Sequence, residues 1–205
     1  MRIQDRLNKL RNKRGFTLVE LMIVVAIIGV LAALAIYGVR KYLSNAKTAE
    51  ARMSVGRLAK DAQLAYEKET VATGVVDLKK TAAIAHKLCS TAAKVPAADA
   101  DIANKKYQST PTDWITAPLA DGTPGGWNCL KFTMSDPQYF QYAYSTTSDP
   151  LLAAADADTF TATARGNLDG DLVLSTLSMD GRIQTEAGEL VLTLAPTITE
   201  VDPEE

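Results

Sequence analysis

The feature that most constrains this chain is an apolar run close to its N-terminus. Residues 16–36 read FTLVELMIVVAIIGVLAALAI, and Glu20 is the only charged side chain among these 21 residues. As an α-helix the run would extend about 31 Å, which is enough to cross the hydrocarbon core of a bilayer. We therefore expect a transmembrane helix here, with the rest of the chain folding outside the membrane.

Charge is distributed unevenly on the two sides of this run. The first fifteen residues hold six basic side chains and one acid, Asp5, for a net charge of +5, which leaves −7 on the remainder of a chain whose net charge is −2. Positive charge before a membrane segment predicts a cytoplasmic N-terminus, with everything after Arg40 and Lys41 translocated. An acidic body behind a short basic leader argues against nucleic acid as a partner.

The order of these parts differs from that of an ordinary secretory signal. A signal peptide closes its apolar stretch with a small-residue cleavage site and is then removed. No A-x-A site closes the run here, and residues 37–70 continue it with apolar side chains at helical spacing. The helix is therefore expected to be retained and to extend into an amphipathic half. Two apolar stripes of that half should face a core: Val39, Leu43, Ala46 and Met53; and Val55, Leu58, Ala62, Ala65 and Tyr66.

Glu20 needs an explanation of its own. A carboxylate within a membrane segment is costly and is by default a functional residue. Its place within about one turn of the start of the run leaves a second interpretation open, an acid tolerated at the bilayer interface. No lysine or arginine of the run can neutralise it. A free α-amino group produced by cleavage after Gly15 can.

The string RGFTLVELMIVVAIIGVLAALAI closely resembles type IV prepilins and the related type II secretion pseudopilins. In that family a membrane peptidase cuts after the glycine and methylates the new amino group. The resemblance implies that Gly15 ends the leader and that Phe16 becomes N-methylphenylalanine. It also implies that Glu20 pairs with the Phe16 ammonium of a neighbouring subunit during assembly.

One departure from many pilins concerns the end of the run, where Ala35-Ile36-Tyr37-Gly38 stands instead of a proline that bends the helix. The position of any bend is therefore left open. The expected fold is α+β and type IV pilin-like, with the long N-terminal helix packed on an antiparallel β-sheet head. The predicted segments are a cleaved basic leader (1–15), a transmembrane or fibre-core helix (16–36), its amphipathic continuation (37–70), a helix–loop insert (71–126), the antiparallel sheet (127–196) and an acidic, solvated tail (197–205).

Within the insert, Asp77 is expected to cap a helix that runs to about Lys94. That helix would carry Cys89 and the lone histidine, His86, which we interpret as a surface or packing residue because no other ligand accompanies it. Alternating β-forming residues from Trp127 onward predict a meander with a turn at Asp180-Gly181. The predicted strands are 127–134, 138–146, 159–166, 171–179, 182–186 and 189–194.

The two cysteines, Cys89 and Cys129, are too few and too far apart for a zinc site. Outside the cytoplasm a disulfide between them is the natural interpretation, and two buried free thiols are the alternative. The bond would pin the insert to the first strand, which Cys129 is expected to open. Many pilins instead use a disulfide to bracket a C-terminal loop.

Asn167, Asp169 and Asp171 alternate in GNLDGDLVLS, as oxygen ligands do at the start of a calcium loop. The twelfth position from Asn167 is Ser178, however, and not an acid. Major pseudopilins, which the chain resembles, have a calcium site in the head. The alternative is a tight turn rich in Asp, Asn and Gly. No other cofactor is expected.

No catalytic constellation is present in the sequence, so we expect a structural protein acted on by enzymes and not an enzyme. The resemblance implies a type IV pilus subunit for attachment and twitching-type motility. Its partners would be prepilin peptidase, the inner membrane, the pilus assembly platform and further copies of itself in a helical homopolymer. Two alternatives stay open, a type II secretion pseudopilin and a minor pilin of a DNA-uptake or adhesion pilus.

Overall fold

The computed structural model describes residues 15–71, 84–171 and 173–203. The predicted leader up to residue 14 and Asp77, the predicted helix cap, lie outside these residues. The chain divides into two compact units, with the boundary between Leu43 and Ser44. The second unit, which we call the head, contains the whole sheet and the buried core.

Helix α1 occupies Leu18–Glu67 and is 50 residues long. A five-residue helix α2 follows at Gly126–Leu130, and 3₁₀ turns lie at Asp99–Asp101 and Pro111–Trp114. The strands are β1 Thr70–Val71, β2 Ile84–Ala85, β3 Ala92–Val95, β4 Phe140–Thr146, β5 Thr159–Gly166, β6 Ser175–Glu186, β7 Glu189–Leu194 and β8 Thr199–Val201. The predicted α+β class is confirmed.

The strands of the head form an antiparallel six-stranded sheet in the order β3-β4-β5-β6-β7, and β8 pairs with the first part of β6. Strand β5 shows why these residues form a strand, because its side chains alternate between buried and half-buried along its whole length. That period of two is the pattern of a sheet with one face on a core. The short pair β1–β2 is separate from this sheet.

The head half of α1 packs on the sheet through small side chains. Ala51, Ala59 and Ala62 are almost completely buried on the helix, and Ala162 and Ala164 are fully buried on β5. These small residues of helix and sheet belong to one buried cluster, together with Val55, Leu58 and Tyr66. The predicted stripe from Val55 to Tyr66 is therefore confirmed as core.

The other predicted stripe is wrong. Val39, Leu43, Ala46 and Met53 are all exposed, Met53 by 76%. Within the head the buried face continues instead from Val55 to Ala51 and Thr48. The hydroxyl of Thr48 lies 3.0 Å from the carbonyl oxygens of both Ser44 and Pro203, so this buried polar side chain is satisfied by hydrogen bonds.

Two glycines in the sheet are required by close contact with aromatic rings. A Cβ on Gly166 would lie 2.5 Å from the Phe140 ring, and one on Gly181 would lie 2.2 Å from the Phe160 ring. These are cross-strand partners in the sheet. The turn predicted at Asp180-Gly181 is therefore wrong: the glycine lies within the continuous strand β6, where it makes room for a ring.

The segment 127–134, predicted as the first strand, is also different. Helix α2 occupies its first part, so Cys129 lies on a helix and does not open a strand. The Gly126 amide donates to Ser90 Oγ, and the Trp127 amide donates to Thr116 Oγ1. These tertiary hydrogen bonds satisfy the first N–H groups of α2, which sequence periodicity does not reveal.

The predicted helix up to Lys94 is wrong for the part that the structure describes. Residues 84–95 contain β2 and β3 and no helix, and β3 pairs with β4 as an edge strand of the sheet. The predicted solvated tail is also partly wrong because β8 pairs with β6. Glu200 of β8 forms a two-armed ion pair with Arg52 of α1, in which Nη2 donates to Oε2 at 2.7 Å.

Candidate assembly site at the N-terminal helix

The first turn of α1 is fixed by a reciprocal cap between Thr17 and Glu20. The Glu20 amide donates to Thr17 Oγ1 (3.2 Å), while the Thr17 amide and hydroxyl donate to Glu20 Oε2 at 2.8 and 2.7 Å. The Thr17 carbonyl also accepts the Leu21 amide (3.2 Å), as the residue before a helix does. This is a capping box, which satisfies amides that the start of a helix leaves unpaired.

The structure therefore gives Glu20 a partner that our sequence analysis missed. The signal was present, because Thr17 and Glu20 are the two ends of a T-x-x-E pattern directly before an apolar run. The cap engages Oε2 of the carboxylate within its own chain. The role predicted for Glu20 between subunits stays a prediction.

Every side chain from Gly15 to Leu43 is exposed. Phe16 is 82% exposed, and α1 contains a stretch long and apolar enough to cross a membrane, by length and composition. An apolar surface of this extent marks contact with a membrane or with other protein chains. The backbone of such a helix satisfies its own hydrogen bonds, which is the requirement for a segment surrounded by lipid.

Gly15 lies directly before Phe16 in the short non-helical segment that precedes α1. A Cβ placed on Gly15 would meet no atom within 4 Å. The described structure therefore gives no steric reason for a glycine at this position. The roles predicted for Gly15 and Phe16 in cleavage and methylation are not tested by the fold.

In the head, Cys89 and Cys129 form a disulfide with a Cα–Cα distance of 5.7 Å. The bond joins the segment before β3 to α2. His86 lies near it in sequence, and its ring packs on Tyr66 with Nδ1 2.8 Å from the Tyr66 carbonyl oxygen. These contacts agree with a packing role for the histidine.

Asn167, Asp169 and Asp171 form a compact turn between β5 and β6. Their side-chain oxygens accept the amides of Gly170 (2.7 Å), Asp171 (3.2 Å) and Val173 (2.6 Å), in that order. Within residues 15–71, 84–171 and 173–203, no three His, Cys, Asp or Glu side chains are grouped as a metal site. Calcium binding at this turn stays a prediction, which calorimetry of the full chain in detergent with millimolar calcium would test.

Comparison with known proteins supports the importance of the N-terminal segment. Residues 10–36 match the family described as the prokaryotic N-terminal methylation motif. "Fimbrial protein Q" of Moraxella bovis is 44% identical over 64 residues, which are 30% of this chain and 40% of that protein. "Type IV major alpha-pilin" of the same organism is 45% identical over 60 residues, which are 28% of this chain and 37% of that protein.

A third relative is "Type IV major pilin protein PilA" of Myxococcus xanthus, which is 56% identical over 45 residues, 22% of this chain and 20% of that protein. The chain thus covers well under two thirds of the length of each of these relatives. No solved structure matches the chain.

The matched segment and the geometry of α1 therefore agree, since the methylation motif ends within an exposed apolar helix that begins with Thr17 and Glu20. By this N-terminal segment the chain is similar to type IV pilins and fimbrial proteins.

Proposed function

We propose that this chain is a structural subunit of a type IV pilus that serves surface attachment and twitching-type motility. Two observations carry the proposal: the apolar half of α1 is completely exposed, and the head has a buried core of its own. Such a helix is stable only in lipid or against other apolar helices. A precursor anchored in a membrane and then polymerised would use both environments in turn.

Processing precedes assembly in this proposal. The basic leader holds the N-terminus in the cytoplasm, and the head is translocated across the inner membrane. Prepilin peptidase cuts after Gly15 and methylates the amine of Phe16. The open space around Gly15 supports a requirement for glycine that comes from the peptidase and not from the fold of the chain. No nucleic acid takes part, in agreement with the acidic body.

Assembly then pairs the Phe16 ammonium of one subunit with the Glu20 carboxylate of the next. At about 4 Å and an effective dielectric near 20 the attraction is of the order of 4 kcal/mol. Desolvation of both groups offsets much of it, so that the pair sets register more than it adds stability. The capping box supports this role because it orients the carboxylate on the first turn, with Oε2 bonded to Thr17.

In both alternatives the chain would be cleaved, methylated and assembled in the same way, but into a different fibre. A type II secretion pseudopilin would form a short periplasmic fibre, and a minor pilin would be a rare subunit of a DNA-uptake or adhesion pilus. The names of the relatives, which are major pilins and fimbrial proteins, favour the first proposal.

Mass spectrometry of fibres sheared from cells, quantified against the membrane fraction, tests the proposal. A chain that begins at methylated Phe16 and dominates the sheared fibres supports a major pilin. A processed chain that stays with the cell envelope would transfer the assignment to a pseudopilin or minor pilin.

The variant Glu20→Gln, compared with Glu67→Gln at the far end of α1, tests the pairing. We expect normal cleavage in both variants and a loss of fibres only for Glu20→Gln. Normal fibre yield from Glu20→Gln would contradict the pairing.

A further inference from the structure

A cavity of about 340 Å³ lies in the head beside the Cys89–Cys129 disulfide. Its walls come from five separate stretches of the chain: the end of α1 and the residues just after it, the segment before β3, the loop of residues 119–124, helix α2 with the residue that follows it, and Pro150. The volume falls at the lower end of the range of small-molecule sites in proteins. The disulfide joins two of the walls and so fixes the cavity's shape.

Three lysines line this cavity, Lys68, Lys87 and Lys131, against a single acid, Asp121. The Asp121 carboxylate is already engaged, since its Oδ1 accepts the amide (3.0 Å) and hydroxyl (2.6 Å) of Thr123. The hydrogen bond from the Thr123 hydroxyl, and to a smaller extent that from its amide, lowers the pKa of Asp121 and keeps the carboxylate ionised. Among the described residues that line the cavity, three lysines therefore outnumber one acid, which leaves an excess of positive charge.

Lys87 differs from the other two lysines because its Nζ donates to the Leu151 carbonyl oxygen at 3.1 Å. Lys68 and Lys131 form no ion pair with any residue in the described part of the chain. Their charges belong to different elements, Lys68 directly after α1 and Lys131 directly after α2. Asp61 lines a neighbouring pocket with both lysines but pairs with Arg57 at 3.6 Å. Two lysines without an ion pair among the described residues attract an anion to the cavity.

The backbone of Lys131 supports a role for its side chain. Lys131 ends α2 in the left-handed conformation, with φ 55° and ψ 30°. Glycine or asparagine adopts this conformation at lower cost than lysine does. Lysine is therefore not the residue that the backbone favours at this position on the cavity wall, and such strain is often found at functional sites, although Asn104, Ala157, Ala187 and Asp202 also have positive φ.

The remaining wall is mainly apolar and contains Leu88, Leu119, Pro124 and Pro150. None of the described residues that line the cavity is aromatic. The lysines suit the carboxylate of an organic acid, and the aliphatic wall suits the apolar part of the same molecule.

We propose that this cavity binds one small organic carboxylate, with its charge at Lys68 and Lys131 and its apolar body against Leu119 and Pro124. Lysine acts here as a point charge toward the carboxylate, and the aliphatic wall excludes water from the body of the ligand. The site is separate from the N-terminal segment and does not depend on fibre assembly.

Equilibrium dialysis of the full-length chain in nonionic detergent tests the site, with 2-naphthoate as the probe and protein-free micelles in the second chamber. We expect saturable binding of one naphthoate per chain. The uncharged 2-naphthamide keeps the apolar rings without the charge, and inorganic phosphate keeps a charge without the rings. Each should therefore bind at least about tenfold more weakly than naphthoate.

Lys131→Gly provides the decisive variant because glycine suits the left-handed backbone. We expect its melting temperature to stay the same or rise while naphthoate binding falls about tenfold. Lys68→Gln should weaken binding similarly, and Lys60→Gln, which removes an exposed lysine elsewhere on α1, should not.

Equal binding of naphthoate and naphthamide would overturn the proposal, because the lysines would then contribute nothing. Unchanged naphthoate binding by Lys131→Gly would overturn it as well. An equal loss of binding in Lys60→Gln would show attraction by net charge alone and would also contradict a specific site.

Discussion

The two halves of helix α1 are built from the same backbone and differ in what surrounds them. From Leu18 to Leu43 every side chain is exposed. From Ser44 to Glu67 seven side chains are buried: Thr48, Ala51, Val55, Leu58, Ala59, Ala62 and Tyr66. The difference lies in the arrangement of apolar residues and not in helix propensity, since the helix is continuous across both halves.

The comparison teaches that a helix apolar on all sides and a helix apolar on one side satisfy different surroundings. The second half leaves charged residues such as Lys60 in solvent and buries Leu58 in the head. The first half has no polar face to offer to water, so it needs lipid or other subunits around it. The head can therefore be perturbed separately from the exposed helix.

The largest effect is expected from removal of the disulfide by Cys89→Ala with Cys129→Ala. The bond closes a loop over a sequence separation of 40 residues, for which chain entropy predicts a loss of about 4 kcal/mol in the free energy of unfolding of the head. Guanidinium denaturation followed by fluorescence of the buried Trp114 and Trp127 measures it. Helicity in detergent from the exposed half should persist after the tryptophan transition, and a simultaneous loss would contradict the separation of the two halves.

The next effect compares two leucines on the same helix. Leu58→Ala should lower the free energy of unfolding by about 3 kcal/mol because it leaves a cavity in the core. Leu31→Ala, at a side chain 59% exposed, should change it by less than about 0.5 kcal/mol. The same denaturation measurement applies to both variants. Equal destabilisation would show that the exposed half supports the head.

A smaller effect is expected at the start of the exposed half. Thr17→Val removes the hydroxyl that caps α1 and should destabilise the first turn by about 1 kcal/mol. Amide hydrogen exchange of Glu20 and Leu21, measured by NMR in micelles, should become faster. Thr17→Ser retains the hydroxyl and serves as the control. Unchanged exchange in Thr17→Val would show that the cap does not hold the turn.

The smallest effect concerns the ion pair between Arg52 and Glu200. Bonding to Arg52 lowers the pKa of Glu200 below its ordinary 4.5. The pair therefore stabilises the head fully above pH 4.5 and loses this contribution as the pH falls through the lowered pKa. For a pair this exposed we expect about 0.5 kcal/mol.

Thermal unfolding of Glu200→Gln and wild type between neutral and acidic pH measures this contribution. The difference in stability should be present at neutral pH and should shrink in acid. A constant difference across the range would contradict the linkage, and Glu189→Gln on the exposed end of β7 is the matched control.

Local patterns of the sequence predict the parts of the fold that depend on neighbouring residues. The apolar helix follows from an uninterrupted apolar run. The core stripe from Val55 to Tyr66 and the strand 159–166 follow from periodicity, because each buries one face with a regular repeat. The capping box at Thr17 was equally readable, although our sequence analysis assigned only Glu20. These features depend on residues close together in the chain.

The wrong predictions arose where distant residues decide the local structure. Asp180-Gly181 has the sequence of a turn, yet the Phe160 ring on the next strand requires the glycine inside a strand. Segment 127–134 alternates like a strand, yet hydrogen bonds from α2 to Ser90 and Thr116 make its first part helical. Such contacts cannot be read from one segment at a time.

The sequence by itself determined that this chain has a long apolar segment with a single carboxylate, that basic residues precede it and that it matches the N-terminal methylation motif, because hydrophobicity, charge order and spacing are properties of a contiguous stretch. Only the tertiary structure decided that the disulfide joins α2 to the segment before β3, that Glu200 meets Arg52, and that Lys68 and Lys131 line one cavity. Those relationships join residues far apart in the chain, and packing of the head core sets which of them come together.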